Sequence, residues 1–265
     1  MGSGCLHARS WICPGRSFIA DSERDDDQAE RLHARARALL DAEASSATDV
    51  ADGLNRLCAT AADELRISGT ALTMMASHAA QAVAGASDDY SRGLEETQFS
   101  LGEGPGFDAF GTGRPVLIPD LESAFVRWPV YVPAALRSGV RASYSFPLQL
   151  GAMRFGVLTF YADTARTMGA PELTHCLIFA EIATELLLEG SAAGTTDPGG
   201  RGLQKALQFR NEIYQAQGMV KVALGVNLVE ALARMRARAY RLDLDLNDLA
   251  VSILDGSIRL QFDED

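Results

Sequence analysis

The sequence predicts an α+β protein: an antiparallel sheet flanked by helices, followed by an all-α unit of three helices. Three observations lead to this prediction. Apolar residues alternate in short segments that follow one another, whereas a parallel α/β chain would place a helix between strands. Apolar residues at helical spacing precede and follow those segments. A glycine-rich stretch with no apolar side chain larger than alanine then separates them from residues 203–260, so we expect two domains.

Residues 31–190 are predicted to form the first domain. Leu32, Ala36 and Leu39 recur at helical spacing and residues 50–65 do so more strongly, so two amphipathic helices are expected to open it. The predicted strands are 70–76, 81–86, 116–118, 142–150 and 155–162. Between them, residues 90–137 are predicted to be rich in loops. Residues 171–189 return to a helical pattern and close the domain.

Two further segments have the composition of chain outside a folded core. Residues 1–30 include an acidic run at 21–30 and are predicted to be disordered or an extra N-terminal segment. Residues 191–202 are dominated by glycine and other small residues and are predicted to link the two domains.

Residues 203–260 are predicted to form three helices with recognisable ends. The first stops at Gly225, and Asn227 with Glu230 three residues later forms a cap that starts the second. Asp245 caps the third helix, which stops at Gly256. The second helix carries an apolar stripe at core spacing: Leu228, Leu232, Met235, Ala239 and Leu242.

The charge is divided unevenly along the chain. The formal net charge is −11 at pH 7, and residues 201–265 contribute none of it because they hold nine basic and nine acidic side chains. Within residues 203–242, however, seven basic side chains stand against two acidic ones. An acidic body thus carries a locally basic unit, which argues against indiscriminate polyanion binding but allows a specific contact with nucleic acid.

Several function classes are excluded by what the sequence lacks. No apolar stretch approaches the roughly 20 residues that span a bilayer, and no secretory signal is apparent, so we expect a cytoplasmic protein with no membrane partner. No lysine precedes Lys205, which excludes a phosphoacceptor receiver domain. The nucleophile elbow, the phosphate loop and the dinucleotide fingerprint are missing, so we expect no enzymatic activity.

The four cysteines and four histidines are scattered without metal-ligand spacing. We therefore expect reduced thiols, no metal and no cofactor. Cys5 and Cys13 leave open a redox or iron–sulfur pair, and residues 1–20 leave open an artefactual start site.

The polar faces of the predicted three-helix unit carry the strongest functional signal. On the first helix, Arg210, Tyr214, Gln217 and Lys221 are spaced four, three and four residues apart and are predicted to share an exposed face. The second helix adds arginines on two adjacent faces, with Tyr240 beside them: Arg234, Arg236, Arg238 and Arg241. Cations beside an aromatic ring and an amide suit phosphate contact, base stacking and edge reading. The alternative is an ordinary solvated charged surface.

This region resembles a known family. The matching residues are 213–220 (IYQAQGMV), 224–227 (LGVN), 230–232 (EAL), Met235-Arg236 and Leu249-Ala250. They are similar to the ANTAR domain, the RNA-binding module of bacterial transcription antiterminators of the actinobacterial type, over residues 203–260. The resemblance implies that a homodimer binds tandem hairpins in a leader RNA, so that a terminator fails to form. Gln217 stands where the family has a lysine, and Lys221, one turn later, is the candidate to supply that charge.

The first domain resembles the GAF sensor domain over residues 48–190. The matching residues are 101–105 (LGEGP), 113–116 (GRPV), 119–121 (PDL), 128–129 (WP), 145–148 (SFPL) and 155–158 (FGVL). The resemblance implies a small-ligand pocket between the sheet and residues 90–137. Its candidate lining residues are Phe107, Phe110, Trp128, Tyr131 and Tyr144, with ordinary core packing as the alternative for each. Gly106 stands where related sequences often carry a cysteine, so thiol-based sensing is not available there.

Together these features predict a signal-responsive RNA-binding regulator of transcription antitermination, in which the GAF domain senses a small ligand and dimerises. Two alternatives remain open. A three-helix unit with an arginine-rich second helix also fits a DNA-binding regulator of helix-turn-helix type, although the turn at 225–227 joins long helices. The substitution at Gln217 leaves open a sensor and dimerisation protein whose RNA binding has decayed. The sequence predicts neither the ligand, nor the target transcript, nor the sign of the response.

Overall fold

The computed structural model describes residues 31, 34, 37–38, 50–77, 80–192 and 211–258. The helices of the first part are α1 Val50–Leu65, α2 Asp89–Leu101, α3 Pro105–Thr112, α4 Tyr131–Arg137 and α5 Ala170–Ala192. The strands are β1 Gly69–Ser77, β2 Ala80–Ala86, β3 Val116–Ile118, β4 Ala142–Leu150 and β5 Met153–Ala162. The last three helices are α6 Asn211–Leu224, α7 Leu228–Leu242 and α8 Leu246–Leu254.

The five strands form one antiparallel sheet in the order β2-β1-β5-β4-β3. All five predicted strand segments are confirmed, and the first two pair as an antiparallel hairpin. Each strand places successive side chains on opposite faces of the sheet, and β1 and β4 are buried on both faces over most of their length. β2 is an edge strand, with β1 on one side of it.

One face of the sheet is covered by α1 and α5. The predicted stripe on α1 is buried there, with Leu54, Leu57 and Cys58 packed against Phe146 and Phe160 of the sheet. The rings of Phe146 and Phe160 meet edge to face, with their centroids 5.5 Å apart. This face forms the larger of the two apolar cores of the first domain.

The opposite face is covered by α2, α3 and α4, which corrects the prediction that residues 90–137 are rich in loops. Glycine and proline in this segment mark helix ends, because Gly102 and Gly113 end α2 and α3 in the left-handed conformation and Pro105 begins α3. Asp88 caps α2 by accepting a hydrogen bond from the Ser91 N–H.

The helices α6, α7 and α8 pack around a core of their own, and we call them the bundle. The predicted caps are confirmed: Asn227 Oδ1 accepts from the Glu230 N–H at 2.9 Å, and Asp245 Oδ1 accepts from the Asn247 N–H at 2.7 Å. Leu228 and Leu242 are exposed, which corrects their assignment to the apolar stripe. They lie at the two ends of α7, beyond the reach of the core.

The end of α5 differs from the predicted boundary. The helix continues through Gly190 to Ala192, two residues into the segment predicted to be a linker. Residues 1–30, the rest of that linker, residues 203–210 and the predicted seam of Leu32, Ala36 and Leu39 lie outside the described residues. Among the described helices, none is alone long and apolar enough to cross a bilayer; α6 and α7 reach that length and apolarity only when counted together across a bend of 105°.

Candidate functional site

A buried carboxylate lies at the centre of the sheet face that α2, α3 and α4 cover. Glu95 of α2 is 5% exposed, and its Oε1 accepts a 2.6 Å hydrogen bond from the Tyr161 hydroxyl of β5. Its Oε2 accepts from Thr73 Oγ1 of β1 at 2.8 Å, and Gln98 Nε2 donates to Oε1 at 3.2 Å. We call Thr73, Glu95, Gln98 and Tyr161 the carboxylate cluster. Three donors compensate the loss of water around the buried oxygens.

Gln98 connects this cluster to the neighbouring helix. Its Nε2 also lies 2.9 Å from the Tyr161 hydroxyl oxygen, and its Oε1 accepts from the Gly106 N–H at 2.9 Å. Glycine is required next to this amide, since a Cβ on Gly104 would come within 2.4 Å of Gln98 Oε1. One side chain therefore ties α2, β5 and the start of α3 together.

The two tyrosines at this site are held in the neutral form. Burial raises the pKa of Tyr161 well above its ordinary value of 10.0, and the nearby Glu95 carboxylate raises it further. Burial and the same carboxylate also raise the pKa of Tyr131. The Tyr131 hydroxyl is buried beside the Tyr161 hydroxyl. A neutral hydroxyl beside a buried carboxylate can serve as a donor to a small polar molecule.

The segment Leu101 to Pro105, which carries much of the predicted family resemblance, has a structural role here. Gly102 ends α2, and Glu103 Oε1 accepts from the backbone N–H groups of Val130 and Tyr131 at 2.6 and 2.8 Å. These contacts satisfy the first N–H groups of α4 and fix the position of Tyr131. The motif thus positions the site without lining it.

Three of the five predicted pocket residues lie on this face of the sheet and are buried: Phe107, Trp128 and Tyr131. The rings of Trp128 and Tyr131 meet edge to face with their centroids 6.4 Å apart. Phe110 packs at the margin of the same core, with the Arg154 guanidinium 5.7 Å from its ring centroid.

Tyr144 was assigned to the wrong face. It lies in the core beneath α1 and α5, where its hydroxyl donates to the backbone oxygen of Arg166. β4 is buried on both faces, so the apolar pattern of its sequence does not show on which face Tyr144 lies. Tyr144 pairs with Phe160, which places it on the face opposite the predicted pocket.

Sequence reasoning missed all four residues of the carboxylate cluster. Glu95 and Gln98 lie three residues apart on α2, in a segment for which no helix was predicted, and a charged side chain is usually taken as exposed. The usable signal was the spacing of Leu94, Gln98 and Phe99, which share the buried side of α2 with Glu95.

The bundle presents part of the predicted nucleic-acid surface. Lys221 and Arg241 are exposed, Arg238 is half-buried, and Arg234 donates to Glu230 Oε1 at 2.8 Å one turn away. Arg210 lies outside the described residues.

Gln217 does not lie on an exposed face, which corrects the prediction. It is 3% exposed, and its Nε2 donates to the backbone oxygen of Leu228 at 2.6 Å. The amide therefore closes the turn between α6 and α7 and is unavailable for direct contact with a ligand.

Tyr214 and Arg236 are half-buried and contact the first domain. The Tyr214 hydroxyl accepts from the Gln81 N–H at 3.2 Å and donates to the Gln81 backbone oxygen at 2.9 Å. The Arg236 guanidinium lies 5.1 Å from the ring centroid of Phe99 and 5.9 Å from that of Phe107. Both predicted nucleic-acid residues thus belong to the contact between the bundle and the sheet domain.

A cleft of about 450 Å³ opens beside this contact, between α2, α4 and the end of α7. Its charged and polar lining residues are Glu96, Thr97, Arg137, Arg236, Tyr240 and Asp243. Acidic and basic groups from both domains face each other across it.

The described residues contain no group of three metal-ligating side chains. Cys58 and Cys176 are buried free thiols, and burial raises the pKa of Cys176 to about 12 and that of Cys58 still further. Neither is a reactive thiolate near neutral pH. Cys5 and Cys13 lie outside the described residues.

Comparison with known proteins agrees with this architecture. A family model for the GAF domain matches residues 26–187, more than half of the chain. The chain belongs to the GAF family. GAF domains are small-molecule sensing and signalling domains. The sheet, α1 to α4, most of α5 and the carboxylate cluster fall within the matched region.

Several solved structures match part of the chain at low sequence identity. The GAF domain of the Acinetobacter phosphoenolpyruvate-protein phosphotransferase is 14% identical, with a TM-score of 0.47 over 66% of this chain and 98% of that one. The corresponding GAF domain from Coxiella burnetii is 14% identical, with a TM-score of 0.48 over 62% and 96%. The free methionine-R-sulfoxide reductase of Neisseria meningitidis is 15% identical, with a TM-score of 0.45 over 61% and 93%. No curated protein matches the sequence.

Proposed function

We propose that this protein is a ligand-responsive RNA-binding regulator of transcription antitermination. In this proposal, the GAF domain senses a small polar molecule and dimerises, and the bundle is an ANTAR domain that binds tandem hairpins in a leader RNA. The observation that supports it best is the bundle itself, in which the basic residues lie on α6 and α7 and the second and third helices begin after the caps Asn227 and Asp245. The proposal includes no catalytic activity and places the protein in the cytoplasm.

The charge distribution of the bundle supports a directional nucleic-acid contact. Residues 211–242 hold five basic and two acidic side chains, whereas α8 and its flanks add only acidic ones, from Asp243 to Asp255. Phosphates are therefore attracted to α6 and α7 and repelled from the α8 side. Such a surface orients RNA, which a uniformly basic domain would not do.

The exposed groups also suit unpaired bases. Tyr240 is 70% exposed and lies one turn from Arg236 on α7. An exposed ring beside arginines can stack on a splayed loop base while the cations contact phosphates. Hairpin loops offer such bases, whereas the deep groove of an RNA helix hides them.

The carboxylate cluster supports the sensing part of the proposal. Glu95 provides acceptor oxygens, and the buried Tyr131 hydroxyl provides a donor. A small polar molecule that both donates and accepts hydrogen bonds fits this pair of groups. The same sheet face holds Phe107 and Trp128, which give an apolar boundary.

The first test is binding of the purified chain to a tandem-hairpin leader RNA, a single hairpin and a duplex DNA of equal length across a salt series. We expect preference for the tandem hairpins and an affinity that falls as salt rises. Reversal of Arg234 and Arg238 to glutamate should abolish that preference. Reversal of Arg66 and Arg114, which are exposed on the GAF domain, makes the same change in net charge and should leave most of it intact.

Two other outcomes of this experiment identify the alternatives. Tighter binding to the duplex DNA would favour a DNA-binding regulator. Absence of binding to all three would favour a sensor and dimerisation protein that has lost RNA binding, an alternative supported by the buried position of Gln217.

A further inference from the structure

We propose that Tyr214 and Arg236 form a latch that docks the bundle on the GAF domain, and that the docked bundle cannot bind RNA fully. The RNA part of this inference rests on the proposed function, whereas the docking part does not. The two residues were predicted to contact nucleic acid, and in the structure they contact the GAF domain instead.

The first half of the latch is a side chain bound to a strand edge. β2 lies at the edge of the sheet, so the outward N–H and C=O groups of Gln81 are not used by a neighbouring strand. The Tyr214 hydroxyl bonds with both of them, at 3.2 and 2.9 Å. One hydroxyl therefore completes the backbone hydrogen bonding at this position.

The second half is a cation held between aromatic rings. The Arg236 guanidinium lies over Phe99 of α2 and near Phe107 of α3. Gly102 leaves the space it needs, because a Cβ there would come within 2.8 Å of Arg236 Nη1. Phe99 is buried and belongs to the apolar core of the bundle, although it lies on a helix of the GAF domain.

Docking and RNA contact compete for the same groups. While the latch is closed, the GAF domain engages the Tyr214 hydroxyl and the Arg236 guanidinium, which reduces their availability to a base or a phosphate. The apparent RNA affinity is then the intrinsic affinity multiplied by the undocked fraction of molecules. Any change that opens the latch without altering the bundle should therefore strengthen RNA binding.

The latch is adjacent in sequence to the carboxylate cluster. Gln98 precedes Phe99 on α2, and Gly106 precedes Phe107 on α3. The Gly106 N–H donates a hydrogen bond to the Gln98 side chain. A ligand that takes over the hydrogen bonds of Gln98 would release α3 from α2 and move both rings that hold Arg236. In this scheme, ligand binding opens the latch and strengthens RNA binding.

Two conservative variants test the latch in the full-length protein. Tyr214→Phe removes the hydroxyl but keeps the ring that would stack on a base, and Phe99→Leu removes the ring beneath Arg236 but keeps an apolar side chain. We expect each to bind tandem-hairpin RNA about fivefold more tightly, the effect of losing roughly one hydrogen bond or cation–π contact. Tyr90→Phe and Phe146→Leu, which change the GAF domain away from the latch, should not strengthen binding.

Hydrogen exchange of the Gln81 amide reports docking without RNA, because that N–H donates to Tyr214. Both latch variants, and Gln98→Met through the loss of its bond to Gly106, should accelerate this exchange. Unchanged exchange in Tyr214→Phe would overturn the latch, and unchanged exchange in Gln98→Met would overturn its coupling to the cluster. Faster exchange with unaltered RNA affinity would overturn the silencing role. If no variant or wild type binds RNA, the proposed function fails, while faster Gln81 exchange still supports docking.

Discussion

The Tyr161 hydroxyl donates to the Glu95 carboxylate across 2.6 Å in the interior of the GAF domain. This bond joins the central strand β5 to α2, and Gln98 bonds to both partners. Hydrogen bonds of a single buried site therefore connect the sheet, the helix that carries the cluster and the helix that contacts Arg236.

Tyr161→Phe should destabilise the GAF domain. The substitution keeps the ring but removes one donor from a buried carboxylate, which costs about 1–3 kcal/mol. Urea unfolding followed by the fluorescence of the buried Trp128 measures the loss. Tyr144→Phe, which removes a hydroxyl bonded to a neutral backbone oxygen on the opposite face, is the matched control and should cost less. An equal or larger loss in the control would contradict the special role of the carboxylate.

The stability of the protein should fall at alkaline pH. Burial raises the pKa values of Tyr131 and Tyr161 above 10.0, so both are neutral when folded and ionise on unfolding. Their contribution to the free energy of unfolding is complete below pH 10.0. As the pH rises above that value, the free energy of unfolding falls by up to about 1.4 kcal/mol per pH unit for each group. Urea midpoints between pH 8 and pH 11, about the range in which tyrosine ionises, measure this slope. The double variant Tyr131→Phe/Tyr161→Phe should show a shallower one, and an identical slope would refute the assignment.

Cys58 and Cys176 should resist alkylation in the folded protein. Burial raises the pKa of Cys176 to about 12, so the thiolate that reacts is scarce at pH 8 and is also shielded. Mass-spectrometric mapping after a timed iodoacetamide pulse should find both thiols modified only when denaturant is present. Rapid modification of Cys176 in native buffer would show that α5 opens from the sheet.

Gln217→Ala should weaken the bundle without removing a direct RNA contact. It deletes a 2.6 Å hydrogen bond to the backbone oxygen of Leu228, worth about 1 kcal/mol, and leaves that oxygen to find another donor. Thermal unfolding should shift to lower temperature, while RNA affinity measured well below the transition should stay within about twofold, a free-energy change under 0.5 kcal/mol. Gln215→Ala, an exposed position on the same helix, is the control. A large loss of affinity with unchanged stability would return Gln217 to the RNA surface.

Much of the fold was predictable because local rules fix it. The strand segments β1 to β5 and the caps Asn227 and Asp245 each depend on neighbours within a few residues. The segment 90–137 departs from the prediction for a physical reason: two of its three helices have 8 and 7 residues, and the glycines that end α2 and α3 resemble loop signals.

The candidate site was less predictable because it depends on contacts between distant segments. Only the tertiary fold brings Thr73, Glu95 and Tyr161 together. None of the three lies in a local sequence pattern that predicts the other two. Helical spacing correctly grouped Tyr214 with Lys221, but it could not show that Gln81, more than a hundred residues earlier, would bind the tyrosine hydroxyl. Helical periodicity predicts which residues share a face of a helix, but it does not predict which residues that face contacts.

The hydroxyl of Tyr214 also guards the sheet against unwanted strand addition. Gln81 lies on an edge strand whose other residues are mostly alanine and valine, a composition with few features that discourage pairing with another chain. A molecule with its bundle released would offer that edge to its neighbours. Keeping the bundle docked until the ligand binds would then protect the protein from self-association as well as from premature RNA binding.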